Sequence, residues 1–248
     1  IHALPGSCRA WGRSLRGWGL GLMAGETVKS EAICLDLHPW SRTSHIVRWL
    51  TPTGPVVTVV KGAVRPKSAF LGQYDLNYTC EIVRYVRQKN GMSALRECAP
   101  LERRDGLRGD FRALALAGWF RRLAAELAPS GPDCRDWYEL LSAALTALPT
   151  AGTDVVRIQN LLDFELKVLD LIGLTPDLTF EEGSFLLRGE RRIPVSREVA
   201  ACLRNPRDEK NLKILLDAAR VIGVFYTFHL DCASDVRRVV LRMISENE

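Results

Sequence analysis

The period of the hydrophobic pattern changes once, near residue 101, and that change constrains the fold more than any other feature. Before it the apolar runs are short and bounded by turn residues. They comprise Ala32-Ile33-Cys34-Leu35-Asp36-Leu37, then His45 to Leu50, then Pro55 to Lys61, separated by Pro39, Pro52 and Gly54. Tyr74 to Val86 alternates apolar and polar residues, and Asn90-Gly91 is a strong hairpin signal leading into Ser93 to Cys98. About five strands in about 70 residues suit a small barrel such as an OB-fold, a platform that accepts single-stranded nucleic acid of any sequence.

Beyond Leu101 the apolar residues recur at helical spacing. Asp110 to Leu127 aligns Phe111, Leu114, Ala117, Phe120, Leu123 and Leu127, and Asp133 to Leu148 forms a second helix. Thr153 to Ile172 carries the clearest stripe (Val155, Ile158, Leu162, Leu166, Leu169), is expected to be central to its core, and ends at Gly173 as its cap. Phe180 to Pro194 is weakly periodic and reads as an insertion or loop. Helices over Ser196 to Leu203, Glu209 to Ile222 and Ser234 to Ile244 complete the pattern. The expected class is α+β: an N-terminal OB-fold barrel over 28–102 and an all-helical domain over 103–248. Residues 1–27 are expected to be a flexible extension outside the fold. The segment 1–22 lacks periodicity, and Met23, the first methionine, is expected to be the true start.

Charge divides along the same boundary. Residues 23–100 carry 10 Lys and Arg against 6 Asp and Glu, whereas residues 101–248 carry 21 against 23. Between Asp36 and Asp75 there is no carboxylate, yet Arg42, Arg48, Lys61, Arg65 and Lys67 fall in that interval. Three of these cations belong to the loop Lys61-Gly62-Ala63-Val64-Arg65-Pro66-Lys67-Ser68, where Gly62 and Pro66 suit neither strand nor helix, so the loop is expected to be exposed. A cationic surface without local counter-charge fits a polyanion. Trp40, Trp49, Tyr74 and Tyr78 are aromatic residues in or beside this interval that can stack bases, although at strand spacing aromatics also serve as barrel core. The last helix carries Arg237, Arg238 and Arg242, the second and third four apart and so on one face; such a face is usually only solvated, and here these cations are also candidates to receive an acidic peptide.

Seven cysteines (Cys8, Cys34, Cys80, Cys98, Cys134, Cys202, Cys232) are irregularly spaced without a C-x-x-C pair. They read as free thiols in a reducing cytosol, and neither a metal nor another cofactor is expected. No run of 18 apolar residues exists, so no membrane span is expected. Gly17 to Gly25 after Arg9, Arg13 and Arg16 faintly resembles a signal peptide but lacks an apolar centre. His38 and His45 lack partners at ligand spacing, and His229 reads as a structural histidine. No nucleophile or metal-protease motif is found, and an enzyme is not expected.

Ser44-His45-Ile46-Val47, Leu50-Thr51-Pro52, Val60-Lys61-Gly62-Ala63 with Arg65-Pro66-Lys67-Ser68, Phe164-Glu165 to Leu171-Ile172-Gly173 with Pro176-Asp177-Leu178, and Arg237-Arg238 together resemble the RecO recombination mediators of bacteria. The resemblance spans about residues 28–246 and implies an OB-fold followed by a helical domain. It also implies binding of single- and double-stranded DNA, strand annealing, and cooperation with RecR in loading RecA onto DNA coated by single-stranded-DNA-binding protein, whose acidic C-terminal tail docks on the helical domain. The implied location is cytoplasmic and nucleoid-associated. Many relatives carry a four-cysteine zinc motif after the segment matching Pro176-Asp177-Leu178; this chain has none there, so no metal is carried over. The alternative reading is a generic OB-fold module that binds RNA or protein, with the helical half as scaffold.

Overall fold

The computed structural model describes residues 26–86, 92–181, 184–187, 191–230 and 235–245, without the side chains of 177–192 and 229. The expectations for residues 1–25 of the N-terminal extension and for Met23, the Asn90-Gly91 turn, Cys8, Cys232 and the His229 side chain fall outside the described residues, whereas Glu26 and Thr27, expected at the end of that extension, pair with β-strand residues Val86 and Tyr85.

Five strands, β1 (Glu26–Ser41), β2 (Ser44–Thr51), β3 (Gly54–Val60), β4 (Thr79–Val86) and β5 (Met92–Glu102), close into a barrel in the order β1-β2-β3-β5-β4. Neighbours are antiparallel except β3 and β5, which run parallel where Val57 to Val59 face Met92 to Ala94. This is the five-stranded OB arrangement. β1 serves both sides of the closure: Glu26 to Ile33 pair with β4, and Ile33 to Ser41 pair with β2. A register shift between Cys34 and Asp36 marks where it bends from one partner towards the other.

Because side chains alternate across a strand, the unbroken apolar run in β1 is buried on both faces. Ala32 and Cys34 point into the barrel beside Val47, Trp49, Val60, Cys80 and Ile82. Ile33 and Leu35, with Leu50 of β2, instead join the core of the helical region. The barrel and the helices thus share a hydrophobic interface. Arg104 reinforces it from a left-handed backbone conformation (φ 51). Its guanidinium donates to Asn77 O at 2.7 Å and Thr79 Oγ1 at 2.9 Å in the barrel, and to Ser142 Oγ at 3.1 Å and Thr146 Oγ1 at 3.2 Å in the second helix.

The strand expected from Tyr74 begins only at Thr79. Asp75 accepts from the Leu76 and Tyr78 amides, and Asn77 sits at φ 70, so this stretch turns rather than extends.

Among the described residues six α-helices follow: α1 (Phe111–Leu127), α2 (Cys134–Ala147), α3 (Asp154–Leu171), α4 (Arg197–Arg204), α5 (Leu212–Leu230) and α6 (Asp235–Ser245). Asp110, Thr153 and Ser196 cap α1, α3 and α4 by accepting from backbone N–H groups of the first turn. Gly173 takes the positive φ (70) that ends α3, as expected. The α1 stripe is rotated from the expected one. Phe111 is 63% exposed, and the buried arc is Ala113, Leu116, Ala117, Trp119, Phe120, Leu123 and Ala124. Alanines on that arc let α1 approach its neighbours closely, which a count of large apolar residues underweights. α3 is central, with Gln159, Asn160 and Glu165 buried beside its apolar stripe. α5 runs eight residues beyond the expected end at Ile222. Phe180 to Pro194, read as an insertion or loop, instead carries three short antiparallel strands, β6 (Asp177–Glu181), β7 (Ser184–Leu187) and β8 (Arg191–Pro194). They are too short to impose a period on the sequence.

Candidate nucleic-acid interface

β3 ends at Val60 and delivers Lys61 to the surface. Gly62 adopts φ 67, which turns the chain, and Ala63, only 3% exposed, plugs back into the barrel core. That anchor leaves Lys61, Val64, Arg65, Pro66 and Lys67 outside. Consecutive turns hold the loop, with Arg65 N donating to Gly62 O at 3.2 Å and Ser68 N to Arg65 O at 2.9 Å. Two further bonds stitch it to the β1–β2 turn: Gly62 N to Ser44 Oγ at 3.3 Å and Val64 N to Thr43 O at 3.4 Å. Arg42, exposed, lies in that turn. One end of the barrel therefore collects Arg42, Lys61, Arg65 and Lys67.

Among the described residues none of these four cations has an ion-pair partner. Several exposed cations elsewhere do, among them Lys29 with Glu81, Arg108 with Asp75, Arg122 with Glu126, Arg207 with Asp163, Arg220 with Asp217 and Arg238 with Asp235, whereas Arg103, Lys167, Lys213 and Arg242 stand singly along the chain. Charges close together without counter-ions raise the local positive potential and attract anions.

Three expected contact residues are placed elsewhere. Arg48 points outward from β2, but its guanidinium donates to Ala125 O of α1 and lies opposite Asp36 across the strand pair. Burial depresses its pKa, with Asp36 and Glu126 opposing, and its packing against α1 removes it from the cationic cluster. Trp49 is fully buried, its Nε1 donating to Thr58 Oγ1 at 2.9 Å. Tyr74, 8% exposed, packs edge-on against Trp49 at 6.0 Å and bonds His45 Nδ1 at 2.9 Å. Desolvation raises the Tyr74 pKa. Trp49 faces inward from β2, where a small barrel is filled by large side chains, and Tyr74, in the turn region before β4, packs into the same core. Trp49→Ala is accordingly expected to lower unfolding free energy by about 3–5 kcal/mol, read as a shift of the urea midpoint. Of the four aromatics in or beside the cationic interval, Trp40 is exposed, at 46%, and Tyr78 is buried, at 6%.

The expected cationic face of α6 is likewise divided. Arg238 and Arg242 are exposed, beside the exposed Val236 and Val239. Arg237 points the other way. It is 6% exposed, and its Nε and Nη2 engage the two carboxylate oxygens of Glu165 at 2.6 and 2.9 Å. Trp119 Nε1 donates to the same Glu165 carboxylate at 2.7 Å, Tyr226 Oη donates to Glu165 O at 2.9 Å, and Arg237 Nη2 donates to Ala219 O at 2.5 Å. The guanidinium lies 2.5 Å from where a Cβ on Gly223 would stand, which gives the glycine within α5 its reason. Arg237 is corrected from a partner contact to the fastener of α6 against α1, α3 and α5. The signal available in the sequence was spacing: Arg237 shares a face with Val240 and Ile244, both fully buried, while Arg238 and Arg242 share another.

Cys34, Cys80, Cys98, Cys134 and Cys202 are free thiols. Among the described residues no group of three His, Cys, Asp or Glu side chains is arranged to hold a metal ion, and no helix is long and apolar enough to cross a membrane.

With this geometry in view, two family comparisons divide the chain where its architecture changes. The sequence model described as Recombination protein O N terminal matches residues 23–104, and that described as Recombination protein O C terminal matches residues 108–237. A protein named DNA repair protein RecO from Roseiflexus sp. (strain RS-1) is 26% identical over 156 residues, which is 63% of this chain and 53% of that relative. The chain thus aligns with about half the length of this curated relative.

Proposed function

Since the chain belongs to the recombination protein O family, matched through both its N-terminal and its C-terminal models, we propose that it is a non-catalytic DNA-binding mediator of recombinational repair. The observation that carries this reading is the end of the barrel where Arg42, Lys61, Arg65 and Lys67 stand without counter-ions, held together by the bonds between the 61–68 loop and the β1–β2 turn. Backbone phosphates are the ligand such a surface suits, because each cation engages one phosphate and releases condensed counter-ion regardless of base sequence. In this reading the barrel (28–102) binds single- and double-stranded DNA and anneals complementary strands, and the helical part (103–248) receives proteins. The proposed protein partners are RecR and the acidic C-terminal tail of single-stranded-DNA-binding protein, with loading of RecA as the outcome. Arg242, with Arg238 beside its partner Asp235, offers that tail exposed cations near the apolar Val236 and Val239 on α6.

Annealing tests the reading directly. The purified chain is expected to accelerate pairing of complementary oligonucleotides and to bind DNA at least as well as RNA of equal length. Preference for RNA without annealing would favour a generic OB-fold module instead. Retention by an immobilised acidic tail, reduced in an Arg238→Glu, Arg242→Glu variant and unchanged in the cation-loop variants, is expected for the helical half.

A further inference from the structure

β1 pairs with β2 alone over its final residues, and the ladder there is irregular. Pro39 faces His45 and Ser41 faces Ser44, so two steps along β1 match one along β2 and Trp40 is the extra residue of a bulge. A bulge releases its residue from the ladder and re-aims the side chain. A single exposed apolar side chain needs no explanation by itself. Trp40 differs in what surrounds it. Arg42 is two residues on, and Thr43 and Ser44 of the same turn accept the bonds from Val64 N and Gly62 N that seat the Lys61, Arg65 and Lys67 loop. The other described tryptophans, Trp49, Trp119 and Trp137, are at most 2% exposed. On the outward side of β2 and β3, Ile46, Arg48, Val57 and Val59 include no aromatic ring. An exposed indole thus stands beside the uncompensated cations.

We infer that Trp40 stacks on an unpaired base while Arg42, Lys61, Arg65 and Lys67 hold the flanking phosphates, so that this end of the barrel discriminates single-stranded from double-stranded DNA. The inference rests on the DNA-binding reading above. The physical reason for discrimination is access. Phosphates are available on both forms, whereas the face of a base is free only where it is unpaired and unstacked. Sequence preference is not expected, since every base has a π face.

The test uses the full chain with oligo(dT) and a duplex of the same length, reading binding by anisotropy of a labelled strand and stacking by tryptophan emission. Oligo(dT) is expected to quench emission of the wild type, and the quench is expected to disappear in Trp40→Phe while most of the affinity remains. Trp40→Ala is expected to lose about tenfold or more in affinity for oligo(dT), with duplex affinity and the salt slope unchanged. Its melting temperature checks that it folds; should it not, the Trp40→Phe quench decides. An Ala variant that binds oligo(dT) like the wild type, or that loses single-strand and duplex affinity equally, overturns the role of Trp40 and leaves the cationic surface standing. A wild-type chain that binds neither form removes the DNA-binding reading, and this inference with it.

Discussion

Glu165→Ala is expected to destabilise the protein by about 3–5 kcal/mol, a large fraction of what a chain of this size has to lose. The substitution takes the paired carboxylate from the buried Arg237 guanidinium, and it removes the acceptor of the Trp119 indole N–H. A buried guanidinium deprived of its paired carboxylate costs more than the pair contributes, because the Coulombic attraction no longer offsets its desolvation. Arg237→Ala should cost a similar amount by leaving the Glu165 carboxylate buried without its cation. The double substitution Glu165→Leu, Arg237→Met distinguishes the cost of an orphan charge from the value of the bridge. Apolar side chains of comparable length remove both charges at once, and much of the lost stability should return. Urea unfolding with a constant m-value is the measurement. A Glu165→Ala midpoint within about 0.5 kcal/mol of wild type would mean that water relieves Arg237, contrary to its burial.

The second large effect is on binding. Replacing Arg42, Lys61, Arg65 and Lys67 together by Ala should flatten the dependence of log affinity on log salt by about 2.8 for single-stranded DNA, from about 0.7 for each phosphate contact. At about 0.15 M salt the same contacts correspond to a loss of about two orders of magnitude in affinity. Folding should survive, because all four side chains are exposed and none closes an ion pair among the described residues. Arg48→Ala is the control from the same charge-free interval of sequence: its guanidinium is committed to α1 through Ala125 O, so the salt slope should stay unchanged. If the fourfold variant keeps both affinity and slope while the protein still binds DNA, the surface lies elsewhere.

The contrast between Arg48 and Lys61 also shows which features could be read from the chain. Strand runs, helix caps and the break near residue 101 are local, and they were legible because each is set by neighbours in sequence. The exposed loop was legible for the same reason, since Gly62 and Pro66 exclude regular structure around the cations. Burial of Trp49, Tyr74 and Arg237 is not local. An aromatic on a strand points into a barrel or out of it according to register, and the bulges at Leu35 and Trp40 in β1 shift that register without announcing themselves in composition. The fate of Arg237 depended on a glutamate 72 residues earlier and a glycine 14 residues earlier, three positions that meet only once α3, α5 and α6 are packed. The Asp75 to Asn77 turn interrupted an apparent alternation for a reason that is local, and its Asp-Leu-Asn composition was the cue.

Ile33, Leu35 and Leu50 lie on the barrel yet belong to the helical core. The barrel is consequently not a portable cassette. Severed after Glu102, it would present those three side chains to water, each burial being worth about 2 kcal/mol, together with Arg104's unfilled partners at Asn77 and Thr79. A patch of that kind seeks another surface, so the free barrel should self-associate where the intact chain does not use that face. Helix α1 is tied to the two strands whose turn carries Arg42, through Arg121 at Leu35 O and through Arg48 at Ala125 O.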